Sequence, residues 1–289
     1  MHKTISIFIF IIISFSASGQ NNLFLAVKKI FEEGKYEKCL KKSDALLKKD
    51  VNKKEPALYL YRSMSLFKLS QKEEYNSKYP KALKNSLKAA NKARAKDTND
   101  KFISKYHSYI DRLQLTTHKI AFHQYEEEGE YSLAKSYYNE LVDLCDDTLA
   151  QYMSGKCDVL NERETEGYRS ISKAVEANHA QYLKTKDKHA SSFIMPAFYD
   201  MASYLLEKAV IDSAYKTIVK AVDLFHDEDS IKQLYYEILT NYKTYCAHYN
   251  KPELILKKII KAGNQYPNDH NILQLEVELI IDLTKDMLS

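Results

Sequence analysis

Two stretches far apart in the chain set an acidic pair, a glycine, a tyrosine and a small residue at identical offsets: Glu32 to Leu40 (EEGKYEKCL) and Glu127 to Lys135 (EEGEYSLAK). Around the second, Ile120, Ala121, Phe122 and Tyr125 mark the apolar side of one amphipathic helix, and Gly129 interrupts it. Tyr131, Ala134, Tyr138 and Leu141 then recur at spacings of three and four, which predicts a second helix folding back on the first. Glycine suits the reversal because it adopts a left-handed backbone without a side-chain clash. Alanine at the crossing lets the helices approach closely, and Cys39, nearly as small, holds that place in the first stretch. With only 6 Gly and 5 Pro in 289 residues, the chain lacks the breakers that a turn-rich sheet protein requires. The spacing and the scarcity of breakers together predict an all-α protein, for which a hydrophobic content of 45% supplies an ample core.

The unit repeats. Ala121, Tyr125, Gly129, Tyr131, Ala134, Tyr138 and Leu141 are followed by Gly155, Gly167, Ile171 and Ala174, with 33 residues from Ala134 to Gly167. Ala202, Leu205, Ala214, Ile218 and Ala221 fit again, as do Ile255, Ile259, Ala262 and a closing Pro267. Upstream, Gly34, Tyr36, Cys39 and Leu46 form one unit, and Ser63, Leu66, Tyr79, Ala82, Ser86 and Ala89 a looser one. In this order of small, aromatic and glycine positions the chain resembles the tetratricopeptide repeat family, whose unit of about 34 residues is helix, turn, helix. The resemblance implies an α-solenoid of about six such hairpins, closed by a C-terminal capping helix with Ile272, Leu275, Leu279, Leu283 and Met287 on one face. Tryptophan, which the family often places early in its first helix, is absent.

Two irregularities interrupt the period. From Ala174 to Ala221 there are 47 residues, about 13 more than one unit, and Gln181 to Ser192 is expected to loop out. Phe102, Ile103, Tyr106, Tyr109, Ile110, Leu113, Ile120 and Ala121 keep one apolar stripe without a breaker, which predicts a helix of about 25 residues. The seam is placed near Asp97 to Asp100, giving hairpins over 20–97 and a long helix, further hairpins and the cap over 98–289. Residues 1–19 read as a signal peptide: Lys3, an apolar run from Ile5 to Phe15, and Ala17-Ser18-Gly19 before a cut near Gly19/Gln20. That run is shorter than the roughly 20 residues of a spanning helix. A periplasmic protein is the expectation, without a membrane span.

Export would expose Cys39, Cys145, Cys157 and Cys246 to an oxidising compartment. Cys39 and Cys246 lie on apolar stripes and read as buried thiols. Cys145 and Cys157, on consecutive helices, could form a disulfide or remain free.

The resemblance implies that the first helices of successive units line a concave peptide-binding surface. Its register points Lys119, His123, Tyr152, Lys156, Tyr199 and Ser203 inward, lysine for carboxylates and tyrosine for broad contact with one hydroxyl. The lysine and asparagine set with which some members clamp a terminal carboxylate cannot be assembled from the matching positions. Separately, Lys84, Lys88, Lys92 and Lys96 recur every four residues within a basic run from Lys81 to Lys105. Such a face is ordinarily solvated, and its functional alternative is docking of an acidic protein, an anionic envelope polymer or lipid headgroups. Nucleic acid fits the charge but not the expected compartment.

No glycine-rich phosphate loop, paired-cysteine zinc pattern, HExxH helix or nucleophile elbow occurs. His118 and His123, five apart, point away from each other on a helix, and Glu126, Glu127, Glu128 and Glu130 sit at an exposed helix end. Neither a metal nor a cofactor is expected. The sequence reads as a non-enzymatic adaptor for one or more cell-envelope proteins, such as an accessory subunit of an outer-membrane or secretion machine. The alternative is a binder of peptidoglycan or lipid headgroups through the basic face.

Overall fold

The structure, a computed structural model, describes residues 24–100, 104–186, 194–248 and 252–288. The expected signal peptide over 1–19 lies outside them. Among the described residues there is no strand, and no helix is long and apolar enough to cross a membrane. The helices are α1 (24–32), α2 (Tyr36–Leu47), α3 (Pro56–Ser70), α4 (Ala82–Lys96), α5 (His107–Glu126), α6 (Tyr131–Cys145) and α7 (Thr148–Leu160). They continue as α8 (Glu164–Thr185), α9 (Met195–Glu207), α10 (Ile211–Phe225), α11 (Asp229–His248), α12 (Pro252–Gln265) and α13 (His270–Leu288). Taken in order, the described residues make six helix pairs and a last helix, the solenoid-like packing of repeated pairs that the spacing predicts.

The chain divides into two compact units, with the division between Ala150 and Gln151. In the first unit, Gly34 and Gly129 reverse the chain at φ 73° and φ 66°. Cys39 and Ala134, at the crossings that follow, are both fully buried. Val27, Cys39, Leu46, Leu58 and Tyr61 form one core cluster, with Phe24, Phe31 and Tyr106 packed against it. The α3/α4 pair meets through serines: Ser63 Oγ donates to the Ser86 carbonyl at 2.7 Å, and Ser86 Oγ returns a bond to the Ser63 carbonyl at 2.8 Å. The Tyr109 hydroxyl lies 2.6 Å from Ser63 Oγ and 3.1 Å from Ser86 Oγ, so the small side chains give close approach and the buried polar atoms are satisfied.

Helix α4 also packs on α6, across the segment 97–100 where the sequence places a seam. Asn91 Nδ2 donates to the Glu140 carbonyl at 3.0 Å, and Arg94 pairs with Asp146 at 2.6 Å. The long helix is shorter than expected. A turn at Tyr106, with φ −112° and ψ 23°, interrupts the stripe, and α5 begins at His107; residues 101–103 lie outside the description.

In the second unit, α7 and α8 cross at Gly155 and Gly167. Ile171, Ala174, Ala214, Ile218, Ala221, Ile259 and Ala262 are fully buried, and Ile255 nearly so, as their spacing requires. The expected loop from Gln181 is corrected at its start. Helix α8 continues through Gln181 to Thr185 and ends at Lys186 in the left-handed conformation, while 187–192 lie outside the description. Tyr182 and His179 still pack ring against ring in that last part of the helix, at 6.5 Å between centroids. Further along, the Lys258 ammonium rests 3.5 Å from the Tyr215 ring centre and 4.5 Å from that of Tyr242, a cation held between two aromatic faces. Helix α13 buries Ile272, Leu275 and Leu279 against its neighbours, and leaves Leu273 and Val277 exposed on its other side. The side chains of Leu283 and Met287 are outside the description.

Candidate functional site

Of the six residues expected on the concave surface, Lys119 and His123 belong to the first unit and the other four to the second. Both first-unit residues are exposed on α5. The His123 ring engages its own helix end, Nδ1 at 3.0 Å from Glu127 and Nε2 at 3.4 Å from Glu128. The acidic run therefore serves as the charged, solvated end of a helix.

His118, one turn earlier, turns inward instead. Its Nε2 lies 2.7 Å from Asp147 Oδ2, to which Gln114 Nε2 also donates at 2.6 Å. Asp147 Oδ1 accepts the Ala150 backbone N–H at 2.9 Å, so this carboxylate caps the start of α7. Burial pushes the Asp147 carboxyl upward, but the bonds from His118 and the Ala150 N–H outweigh it, and the net shift is below the ordinary aspartate value.

In the second unit the expected residues converge. Tyr152 and Lys156, one turn apart on α7, both reach Asp200 on α9: the tyrosine hydroxyl donates at 2.9 Å and the ammonium at 2.9 Å to the same oxygen, Oδ2. Tyr152 is buried along its ring, whereas Lys156 and Asp200 keep 33% and 24% of their side chains in solvent. Tyr199 beside Asp200 is 41% exposed, and Ser203 follows one turn later, half-buried. Next to this group Tyr168 and Tyr204 stack at 3.6 Å with planes 7° apart, and Lys208 reaches over Tyr204 at 5.4 Å while pairing with Glu164 at 3.1 Å. Burial, and then the charges of Asp200, Glu207 and Glu164, raise the Tyr168 hydroxyl. The Tyr168 hydroxyl thus stays neutral near pH 7.

Asp200 is the member of this group that the sequence pattern does not single out. The register assigns Lys156 to a partner's carboxylate, and the chain itself supplies one. The available signal was Asp200 itself, an acidic residue between Tyr199 and Ser203 on an inward register. What the group offers is a hydrogen-bonded polar platform bordered by aromatic faces, suited to hydrogen bonding and stacking.

The expected basic face is reduced. Lys84 is half-buried and donates to Ser136 Oγ on α6 at 2.9 Å, so it belongs to a helix junction. Lys88, Lys92 and Lys96 remain exposed. Of the two alternatives for Cys145 and Cys157, the structure has the free thiols, as it has for Cys39 and Cys246. Burial raises the Cys145 thiol to about 11, which leaves it un-ionised at neutral pH. Among the described residues no group of three or more His, Cys, Asp or Glu is placed to hold a metal ion.

The described residues form an all-helical fold of packed helix pairs. No family model matches the chain, and no curated protein matches it. Among solved structures it is similar to the P58(IPK) TPR domain, with a TM-score of 0.36 and 11% identity over 90% of this chain and 77% of that one.

Proposed function

We propose that the chain is a non-catalytic protein-binding scaffold, exported to the periplasm, that serves as an adaptor for one or more cell-envelope proteins. The observation that carries the reading is the convergence of Tyr152 and Lys156 on Asp200 beside the exposed Tyr199 and half-buried Ser203. A polar group already satisfied by its own chain needs little reorganisation to meet a partner, and the exposed tyrosine adds contact area at low entropic cost. Such surfaces recognise a polypeptide through aromatic contact and backbone hydrogen bonds. The location rests on the signal-peptide reading of residues 1–19 and on no other observation.

Affinity purification of the tagged chain from envelope extracts, beside the variant Tyr199→Ala/Ser203→Ala, tests the function. A partner recovered in stoichiometric amount by the natural chain, and depleted about tenfold or more with the variant, supports it. Equal recovery by both, or none by either, removes this surface as the binding site. Fractionation tests the location separately, since a chain retaining residues 1–19 in the cytoplasm would contradict export whatever it binds.

The second reading, an anionic envelope ligand on α4, keeps Lys88, Lys92 and Lys96 and loses Lys84 to the α4/α6 junction. Replacing those three with glutamine and finding unchanged retention on envelope fractions across salt concentrations would eliminate it.

A further inference from the structure

The two glycine turns provide an internal comparison. After Gly34 and Gly129 the backbone is the same: Lys35 and Glu130 hold φ −85°, ψ 60° and φ −82°, ψ 60°. The N–H of Tyr36 and that of Tyr131 each bond the glycine carbonyl at 3.0 Å, and those of Cys39 and Ala134 each bond back to Lys35 and Glu130 at 2.9 Å. The turn therefore fixes the glycine, the tyrosine and the small residue. It does not fix the residues between them, because Lys35, Lys38 and Lys41 stand where the second turn has Glu130, Leu133 and Ser136. The lysines exceed what the repeat needs.

Those lysines surround an open-mouthed cavity of about 370 Å³ beside the first turn. Lys72 completes a set of four ammonium groups in its lining, and Tyr36 and Tyr75 contribute aromatic walls. One carboxylate, Glu37, shares the lining, and it is already engaged: Lys78, Lys41 and the Tyr79 hydroxyl all donate to it and hold its pKa at about 2. Lys35 pairs with Glu33 at 2.8 Å and Lys72 with Glu74 at 3.7 Å, both carboxylates outside the lining, while Lys38 stands exposed among them. The surroundings reinforce the sign. Residues 24–100 carry 20 Lys and Arg against 10 Asp and Glu, whereas residues 101–289 carry 22 against 29. The positive field is thus concentrated in the third of the chain that holds the cavity.

We propose that the cavity at the Gly34 turn, lined by Lys35, Lys38, Lys41 and Lys72 with Tyr36 and Tyr75, binds a phosphate-bearing group of monosaccharide size. Four ammonium groups around one opening match a compact dianion with several acceptor oxygens, for which lysine acts as a point charge. The tyrosine walls supply flat apolar faces for a sugar ring, and the volume lies at the small end of ligand cavities. A free sugar phosphate and a phospholipid headgroup share the phosphate and an adjoining polyol, as a dianionic monoester in the first and a singly charged diester in the second. The site is separate from the Tyr152–Lys156–Asp200 surface, and either can fail without the other.

Titration calorimetry of the chain lacking residues 1–19, at low ionic strength, with glucose 6-phosphate, with glucose, and with phosphatidylcholine vesicles with and without phosphatidylglycerol, tests it. The expected result is saturable binding of one phosphate-bearing probe per chain, none of glucose, and affinity weakened about tenfold or more in Lys38→Gln/Lys72→Gln. Lys48→Gln/Lys49→Gln, which removes equal charge from exposed positions just beyond α2 and outside the lining, is expected to bind within about twofold of the natural chain. Vesicle binding without glucose 6-phosphate binding, lost in the first variant alone, assigns the headgroup as the source. Absence of saturable binding by either phosphate probe, or equal losses in the two variants, overturns the proposal.

Discussion

Gly155 and Gly167 meet backbone to backbone where α7 crosses α8. A Cβ built on Gly155 would stand 2.7 Å from the Gly167 carbonyl oxygen and 2.7 Å from Ile171 Cγ1, and one on Gly167 would stand 2.8 Å from the Gly155 carbonyl oxygen. Main chain cannot rotate aside as a side chain can. Gly155→Ala is therefore expected to force the helices apart and to cost about 1–3 kcal/mol, read as a lower urea midpoint. Gly263→Ala on α12 is the contrast, because its nearest neighbour is the mobile end of Glu276 at 3.1 Å. There the gain in helix propensity, up to ~1 kcal/mol, should leave stability unchanged or raised. Equal destabilisation by both would contradict the crossing argument.

Gly34 and Gly129 present the opposite case, with open space around the missing Cβ and a left-handed backbone. Alanine at either position is expected to cost about 1–2 kcal/mol from conformation alone. Asparagine should cost less, since it tolerates that conformation better than other residues do. Thermal melts of the four single variants check the order, and an alanine variant as stable as its asparagine counterpart would be inconsistent with it.

Asp147 gives the fold a defined response to acid. Its carboxyl titrates below the ordinary value in the folded protein, so the folded state holds its proton more weakly than the unfolded chain does. The resulting stabilisation is fully present above the unfolded aspartate value of about 3.9. It is lost as pH falls from there through the lower folded value. Asp147→Asn should reduce stability at neutral pH, by loss of the charge-assisted bonds, and should flatten the stability profile below about pH 4 relative to the natural chain. Parallel profiles for the two proteins would rule out this contribution.

For the Tyr152–Lys156–Asp200 group, the bond geometry predicts coupling. Lys156 and Asp200 are partly solvated, so the ion pair alone contributes modestly, about 0.2–1 kcal/mol in a Lys156→Met, Asp200→Asn double-mutant cycle. Tyr152→Phe should leave the fold intact and weaken partner binding only if the position of Asp200 matters for recognition. A coupling indistinguishable from zero would mean that the platform is not held by this pair.

How much of this was legible in the sequence follows from which interactions are local. The reversal at Gly34 and Gly129, the crossings at Cys39, Ala134, Gly155 and Gly167, and the burial of Ile218 and Ile259 all repeat at helical spacing, and periodicity reports them directly. Helix ends were less legible. A stripe of apolar residues runs through the turn at Tyr106, and α8 persists past Gln181 because no glycine or proline stands in 181–185 to stop it. Lys156 could be placed on an inward face, but its partner Asp200 is 44 residues away. That pairing depends on how one helix pair stacks on the next, which no single amphipathic pattern encodes. Lys84 illustrates the same limit, since its regular spacing with Lys88 and Lys92 concealed a bond to Ser136 on another helix.

The four thiols have a consequence for how the molecule can be made. Every contact described is non-covalent, including those around the buried Cys39, Cys157 and Cys246. Folding then needs no oxidant and no disulfide isomerase, and its speed is set by helix pairing between near neighbours in the chain. The same architecture can assemble in reducing or oxidising surroundings, and an added reductant should leave its melting curve where it was.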